Sequence, residues 1–402
     1  LWVELGEASA IEAEVGRLRD ALRDPQRADV QTLARAVDER VMRPIRKLVG
    51  PGWRLFLSPD GALNLIPLAA LVDENGRYLV ENYSITYLTS GRDLLRLQTL
   101  DESHGTPVVI ANPLYDMAAA TQPRLASDQA RPPVNQKDAN RGGVDFTLLN
   151  YKPLPGTAEE AAALTKLWPD ARVLTQDEAT ESALKQVHRP RLLHVATHGF
   201  FLQDETQTLP EGYALPRGTF DTLGTSPPPA HSQNPLLRSG LLLAGVKQRQ
   251  SGADEDGVLT ALETASLDLW GTKLAVLSAC ETGLGDVRNG AGVYGLRRAL
   301  FLAGSEAQVM SLWKVSDGAT RDLMTAYYTR LHKGEGRAEA LRQVQLDMLR
   351  SQKPSAVGDR KRETSDTGNA PAAKDYRHPY YWAAFIQSGD WRSIDGKEAG
   401  TR

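Results

Sequence analysis

LAVLSACETG, residues 274–283, is the stretch whose reading decides the fold. Leu274, Val276 and Leu277 form a short apolar run of the kind seen in a strand buried on both faces. The run stops at Ser278, Ala279 and Cys280, and Glu281, Thr282 and Gly283 break it. Cys280 is therefore expected at the carboxyl end of a core strand, where open α/β sheets place their ligand crevice. It is also the single cysteine of the chain. A matching stretch lies upstream: LLHVATHG, residues 192–199, is an apolar run that ends in His198 and Gly199. One thiol and one imidazole at the ends of two core strands is the pattern of a cysteine nucleophile and its base.

Each residue also has a plainer reading. A lone cysteine is usually inert packing, and a histidine at a strand end often only bonds a neighbouring carbonyl. The neighbours favour chemistry. Ala279 and Thr282-Gly283 are small enough to let a substrate backbone approach, and a reactive thiolate needs access. Gly199 places a backbone N–H beside His198, and an oxyanion needs such donors. His194 falls on the same side of its strand as His198 but about 13 Å further back, so it is read as structural. GAGVYG, residues 290–295, has the spacing of a dinucleotide-binding turn. Such a turn must follow its strand immediately, and here the Cys280 segment intervenes, so the glycines are read as close helix packing. A G-x-S-x-G serine elbow is absent from the sequence.

The chain of 402 residues is long enough for a substantial core, as one large α/β domain with additions or as two domains. Net charge is −3 with both signs interspersed, so no direct nucleic-acid or membrane partner is expected. There is no apolar run of about eighteen residues and no secretory segment. One cysteine excludes an internal disulfide and a cysteine-based zinc site, which suits a cytoplasmic setting. No metal or cofactor is expected. The chain opens on Leu1, not Met, and is expected to be part of a longer protein.

Residues 8–49 read as helices, from Ile11, Val15, Leu18, Leu22 and then Leu33, Val37, Val41, Ile45, Leu48. They are expected to be a helical hairpin on a larger body or the end of an upstream helical array. Gly50-Pro51-Gly52 marks a boundary. Residues 53–57 and 63–66 read as a hairpin about a turn at 59–61, and 78–80 and 83–88 continue a small β layer. From about residue 91, strands and helices alternate, which predicts a mainly parallel sheet with helices on both faces. The expected division is thus a helical segment at 1–50 and a domain at 51–402, with a β layer at 51–90 and an α/β core at 91–392. Three long polar stretches interrupt it, at 117–143, 203–233 and 353–374.

THG (197–199) together with SACETG (278–283) resembles the CHAT domain, a caspase- and separase-like (clan CD) group of bacterial cysteine peptidases. The resemblance runs from about Trp53 to Trp391. It includes PDGALNLIPLAAL (59–71), LPGTAEEAAAL (154–164), NPLLRSGLLLAG (234–245), GAGVYGLRRALFLAG (290–304), SLWKVSD (311–317) and HPYYWAAF (378–385). It implies a caspase-like three-layer sandwich, carrying here the N-terminal helices and the small β layer. It implies an intracellular endopeptidase in which Cys280 is nucleophile and His198 general base, with backbone N–H groups of Gly199 and Cys280 holding the oxyanion. The caspase Q-A-C-x-G signature is not matched, so aspartate specificity is not implied.

Substrate contacts are expected from Ser278, Glu281, Trp313 and Lys314. Several relatives with basic specificity carry an acid two before the nucleophile; Ser278 stands there and is neutral, so the resemblance implies an uncharged P1 residue unless Asp204, Glu281 or Asp286 supplies an acid. The strand at 307–312 is expected beside the Cys280 strand. Its following loop would then border the cleft, where the resemblance implies that an extended peptide pairs with it, and Trp313 reads either as an apolar wall for that peptide or as a buried core residue. The implied partners are a protein substrate and an upstream helical-repeat sensor or regulatory protein, in defence or cell death. The isolated chain is expected to be poorly active until its loops are ordered. A caspase-like module that only binds proteins is the alternative.

Overall fold

A computed structural model describes residues 1–49, 52–98, 105–117, 145–201, 235–278, 280–281, 291–350 and 375–395. Twelve strands are described: β1 (Arg54–Leu57), β2 (Ser84–Tyr87), β3 (Val108–Pro113), β4 (Arg172–Gln176), β5 (Leu192–Ala196), β6 (His198–Phe201), β7 (Ser239–Leu242), β8 (Val258–Thr260), β9 (Leu274–Leu277), β10 (Cys280–Glu281), β11 (Ala307–Ser311) and β12 (Phe385–Gly389). The helices of eight or more residues are α1 (Ala8–Leu22), α2 (Val30–Val37), α3 (Pro155–Leu167), α4 (Ala291–Ala303), α5 (Asp317–His332) and α6 (Arg337–Arg350).

The main sheet has eight strands in the order β1-β2-β12-β11-β9-β5-β3-β4. Every pairing in it is parallel except β11 with β12. Mixed α/β architecture with a mainly parallel sheet is therefore what the alternating pattern specified. Strands β5 and β9 are neighbours in its interior, and every residue of both is buried. That explains why they read as unbroken apolar runs: helices cover both faces, and no position can be polar without a partner. The strand at 307–311 lies next to β9, as expected. Helix α3 packs on α5, and α5 on α6; α4 packs on β7 and β11.

The N-terminal β region differs from its sequence reading. Gly61–Leu65 is a 3-10 helix, not a return strand, and Leu79–Asn82 is a helical turn. The turn signal at Pro59-Asp60-Gly61 is used to start the 3-10 helix, with the Asp60 carboxylate accepting from Gly61 N–H. β1 instead pairs in parallel with β2, which joins β12, so these strands form one edge of the main sheet. Helices α1 and α2 contribute Val15, Leu18, Leu22, Val30 and Val37 to the same buried cluster as the sheet.

A second sheet, β10-β6-β7-β8, stands at the carboxyl ends of β5 and β9. Its own small core comprises Tyr115, Phe146, Phe200, Leu242, Val246 and Val258. Gly295 of α4 approaches it so closely that a β-carbon there would meet Ser239 Oγ at 2.9 Å. This is the packing role expected for that glycine. The stretches 118–143, 203–233 and 353–374, with Asp204, Thr282, Gly283 and Asp286, lie outside the described residues.

Candidate active site

Chain register brings His198 and Cys280 together. β5 and β9 pair in parallel from Leu192↔Leu274 to Val195↔Leu277. Both chains then leave the main sheet for the second one without slipping. Ser278 N–H donates to Val195 O at 2.9 Å across the bend. β6 and β10 resume the same offset, with Cys280 opposite His198 and Glu281 opposite Gly199. Paired backbones in adjacent strands lie about 4.8 Å apart. The two residues are the first of their strands after the switch, at the crevice end of the sheet. Gly199 is flanked by Glu281 on one side and Leu241 of β7 on the other.

A directional hydrogen-bond chain fixes the bend before His198. Thr197 Oγ1–H donates to Leu242 O, whose carbonyl can only accept. Tyr115 must then donate its proton to Thr197 Oγ1 at 3.0 Å, and its oxygen accepts His198 N–H at 3.2 Å. Thr197 is wholly buried, so an apolar residue there would take the hydroxyl donor away from the Leu242 carbonyl and break the chain.

The imidazole is 7% exposed. It lies against the rings of Tyr115 and Tyr151, with centroids at 5.1 and 6.1 Å. Its Nε2 is 2.9 Å from Lys152 O. A carbonyl only accepts, so Nε2 carries the proton and Nδ1 is the basic nitrogen of the neutral ring. Burial holds the ring below its ordinary value of 6.5; the Lys152 carbonyl opposes this, Lys314 adds to it and Asp317 opposes it. The ring is therefore a neutral base at pH 7. The charges of Lys314 and Asp317, in the segment that follows β11, reach the ring.

The expected substrate contacts divide. Lys314 is exposed beside the site. Trp313 is 1% exposed, with its indole N–H on Tyr380 O at 3.1 Å. Its ring is in the core, where a fully buried indole needs that one acceptor. Ser278 is 4% exposed and donates to Glu160 Oε2 at 3.3 Å. Its hydroxyl is thus engaged within the fold at the end of the strand. Glu281 meets Gly199 through its backbone.

Sequence reading missed Lys152, Tyr115, Tyr151 and Glu160. Lys152 contributes only a carbonyl, which no side-chain pattern signals. The tyrosines are isolated in irregular segments. The legible signal was LPGT: at Gly156 a β-carbon would lie 2.4 Å from Asp317 Cβ, so the start of α3 is pressed on the start of α5. His194 is buried, with Nδ1 2.7 Å from Tyr328 OH, in keeping with a structural role. Glu181, Glu255 and Glu263 converge elsewhere, but Lys185 Nζ already sits 2.8, 2.7 and 3.2 Å from them.

A CHAT domain family model matches residues 31–390. The chain belongs to the CHAT domain family. It is 23% identical over 345 residues to human tetratricopeptide repeat protein 28, covering 85% of this chain and 12% of that protein's length. Two solved structures of the Saccharomyces cerevisiae separase–securin complex resemble it. One has a TM-score of 0.40 and 11% identity and covers 95% of this chain and 22% of the other. The second has a TM-score of 0.36 and 12% identity, over 94% and 20%. No helix among the described residues is long and apolar enough to cross a membrane.

Proposed function

We propose that this CHAT domain is a cysteine endopeptidase working through a Cys280–His198 dyad. The observation that supports it most is the unbroken register that sets Cys280 opposite a histidine whose Nε2–H is held by the Lys152 carbonyl. A ring held in that tautomer keeps Nδ1 as its base. In the proposed reaction His198 takes the thiol proton as sulfur attacks a peptide carbonyl, and gives it to the leaving amine as the acyl-enzyme forms. Water then releases the acid product. The oxyanion is assigned to the backbone N–H groups at residues 199 and 280.

The substrate is proposed to be a protein segment bound in extended form along the loop that carries Lys314. A regulatory protein or upstream helical-repeat region is proposed to gate the site, in the cytoplasm, in defence or cell death. The human relative is itself named a tetratricopeptide repeat protein. The test is a peptide-library cleavage profile of the intact chain beside Cys280→Ala and His198→Gln. Sequence-selective cleavage lost in both variants is expected. Equal cleavage by the Cys280→Ala protein would contradict the proposal, and no cleavage even with a regulatory partner present would leave the interaction module.

A further inference from the structure

The dyad leaves one buried charged cluster unused. Glu160 is 2% exposed, in the middle of α3. One of its oxygens accepts from Ser278 Oγ at 3.3 Å. The other lies 3.2 Å from His194 Nε2, a close polar contact without the geometry of a hydrogen bond. His194 Nδ1 is 2.7 Å from Tyr328 OH on α5. Burial first, and then the Glu160 charge, hold the Tyr328 hydroxyl well above its ordinary value, so it keeps its proton. A carboxylate facing Nε2 favours the tautomer with the proton there, which leaves Nδ1 to accept from Tyr328, while Ser278 donates to Glu160 from the other side.

Burying a carboxylate is costly unless it is paired and hydrogen-bonded. A serine could satisfy its hydroxyl on any nearby carbonyl. What this carboxylate does is bridge two neighbouring strands, meeting β5 at its middle and β9 at its end. His194 belongs to β5, which leads into His198, and Ser278 closes β9, two residues before Cys280. The helix that carries Glu160 also begins just after Lys152, whose carbonyl holds the His198 ring.

We propose that Glu160 is a positioning residue for the dyad, tying the strand of the base and the strand of the nucleophile to one helix through His194 and Ser278. This rests on the Cys280–His198 reading above. A network that only stabilised the fold would change melting and leave reactivity alone. A positioning network must change the reactivity of Cys280 in protein that is still folded.

Cys280 is the chain's single cysteine, so iodoacetamide reports on it alone. The intact chain and its Ser278→Ala, Ser278→Thr, Glu160→Gln and Ser278→Ala/Glu160→Gln variants are alkylated at pH 7.5, below each variant's melting range. Ser278→Ala and Glu160→Gln are each expected to slow alkylation by about tenfold, and the double variant no further than either alone, the mark of one shared interaction. Ser278→Thr keeps a hydroxyl and should stay within about threefold of the parent rate. Parent-like rates in Ser278→Ala and Glu160→Gln, or effects that multiply in the double variant, overturn the inference while the dyad stands. Should Glu160→Gln fail to fold, the Ser278→Ala and Ser278→Thr pair still decides. If His198→Gln is alkylated as fast as the parent, the dyad reading itself falls, and this inference with it.

Discussion

At the scale of single residues, His198 is set by three neighbours that differ in kind. A carbonyl fixes its proton, two tyrosine rings exclude water, and burial makes its charged form unfavourable. The sign of the pH effect follows. The folded ring binds its proton more weakly than the unfolded one, so the base stays active below pH 6.5 and is lost only as pH falls through the lower folded value. The acid limb of the cleavage rate should have its midpoint below 6.5. Removing the Lys314 charge (Lys314→Gln) should raise it, and Asp317→Asn should lower it; opposite shifts in pH–rate profiles would contradict the assignment. Stability should also drop as pH falls below 6.5, because the unfolded chain takes the proton first. Tyr115→Phe removes the oxygen that accepts His198 N–H. A buried donor left without a partner costs about 1–3 kcal/mol, which urea unfolding would register as a lowered midpoint at unchanged slope. A midpoint equal to that of the parent would show the hydroxyl to be dispensable.

At the scale of elements, the interior strands were legible because burial on both faces leaves an unmistakable apolar run, and the punctuation after each run marked His198 and Cys280. The pairing of those two residues was not legible. It depends on β5 and β9 keeping register through a bend, which Thr197 and Ser278 secure through partners distant in sequence. Leu63 and Ile66 misled for a related reason. Their apolar character serves packing into the core and not strand pairing. Trp313 follows a strand and reads equally well as cleft wall or core, and only the Tyr380 carbonyl decides. The start of α3 offers a sharp test. Gly156→Ala gains about 0.5–1 kcal/mol of helix preference, but its new β-carbon would meet Asp317 Cβ at 2.4 Å. Overpacking typically costs about 1–3 kcal/mol, so the variant should be less stable and its Cys280 less reactive. A more stable Gly156→Ala protein would contradict the close approach.

At the scale of the whole molecule, one hydrophobic core runs from α1 across the sheet to α6. Leu18 is fully buried in it, so Leu18→Ala should cost about 2–5 kcal/mol. The loss should appear in a single unfolding transition shared by helix and sheet. A separate early transition for residues 8–49 would make the helices an appendage. The dyad is the claim on which the functional account turns, and the single cysteine makes it directly measurable. The decisive measurement is the rate of Cys280 alkylation by iodoacetamide as a function of pH, in the intact chain and in His198→Gln. Between pH 6.5 and 8 the parent should react at least about tenfold faster than the variant, whose rate should rise only as the unassisted thiol ionises near pH 8.5. Superimposable pH–rate curves for the two proteins would show that His198 does not act on Cys280.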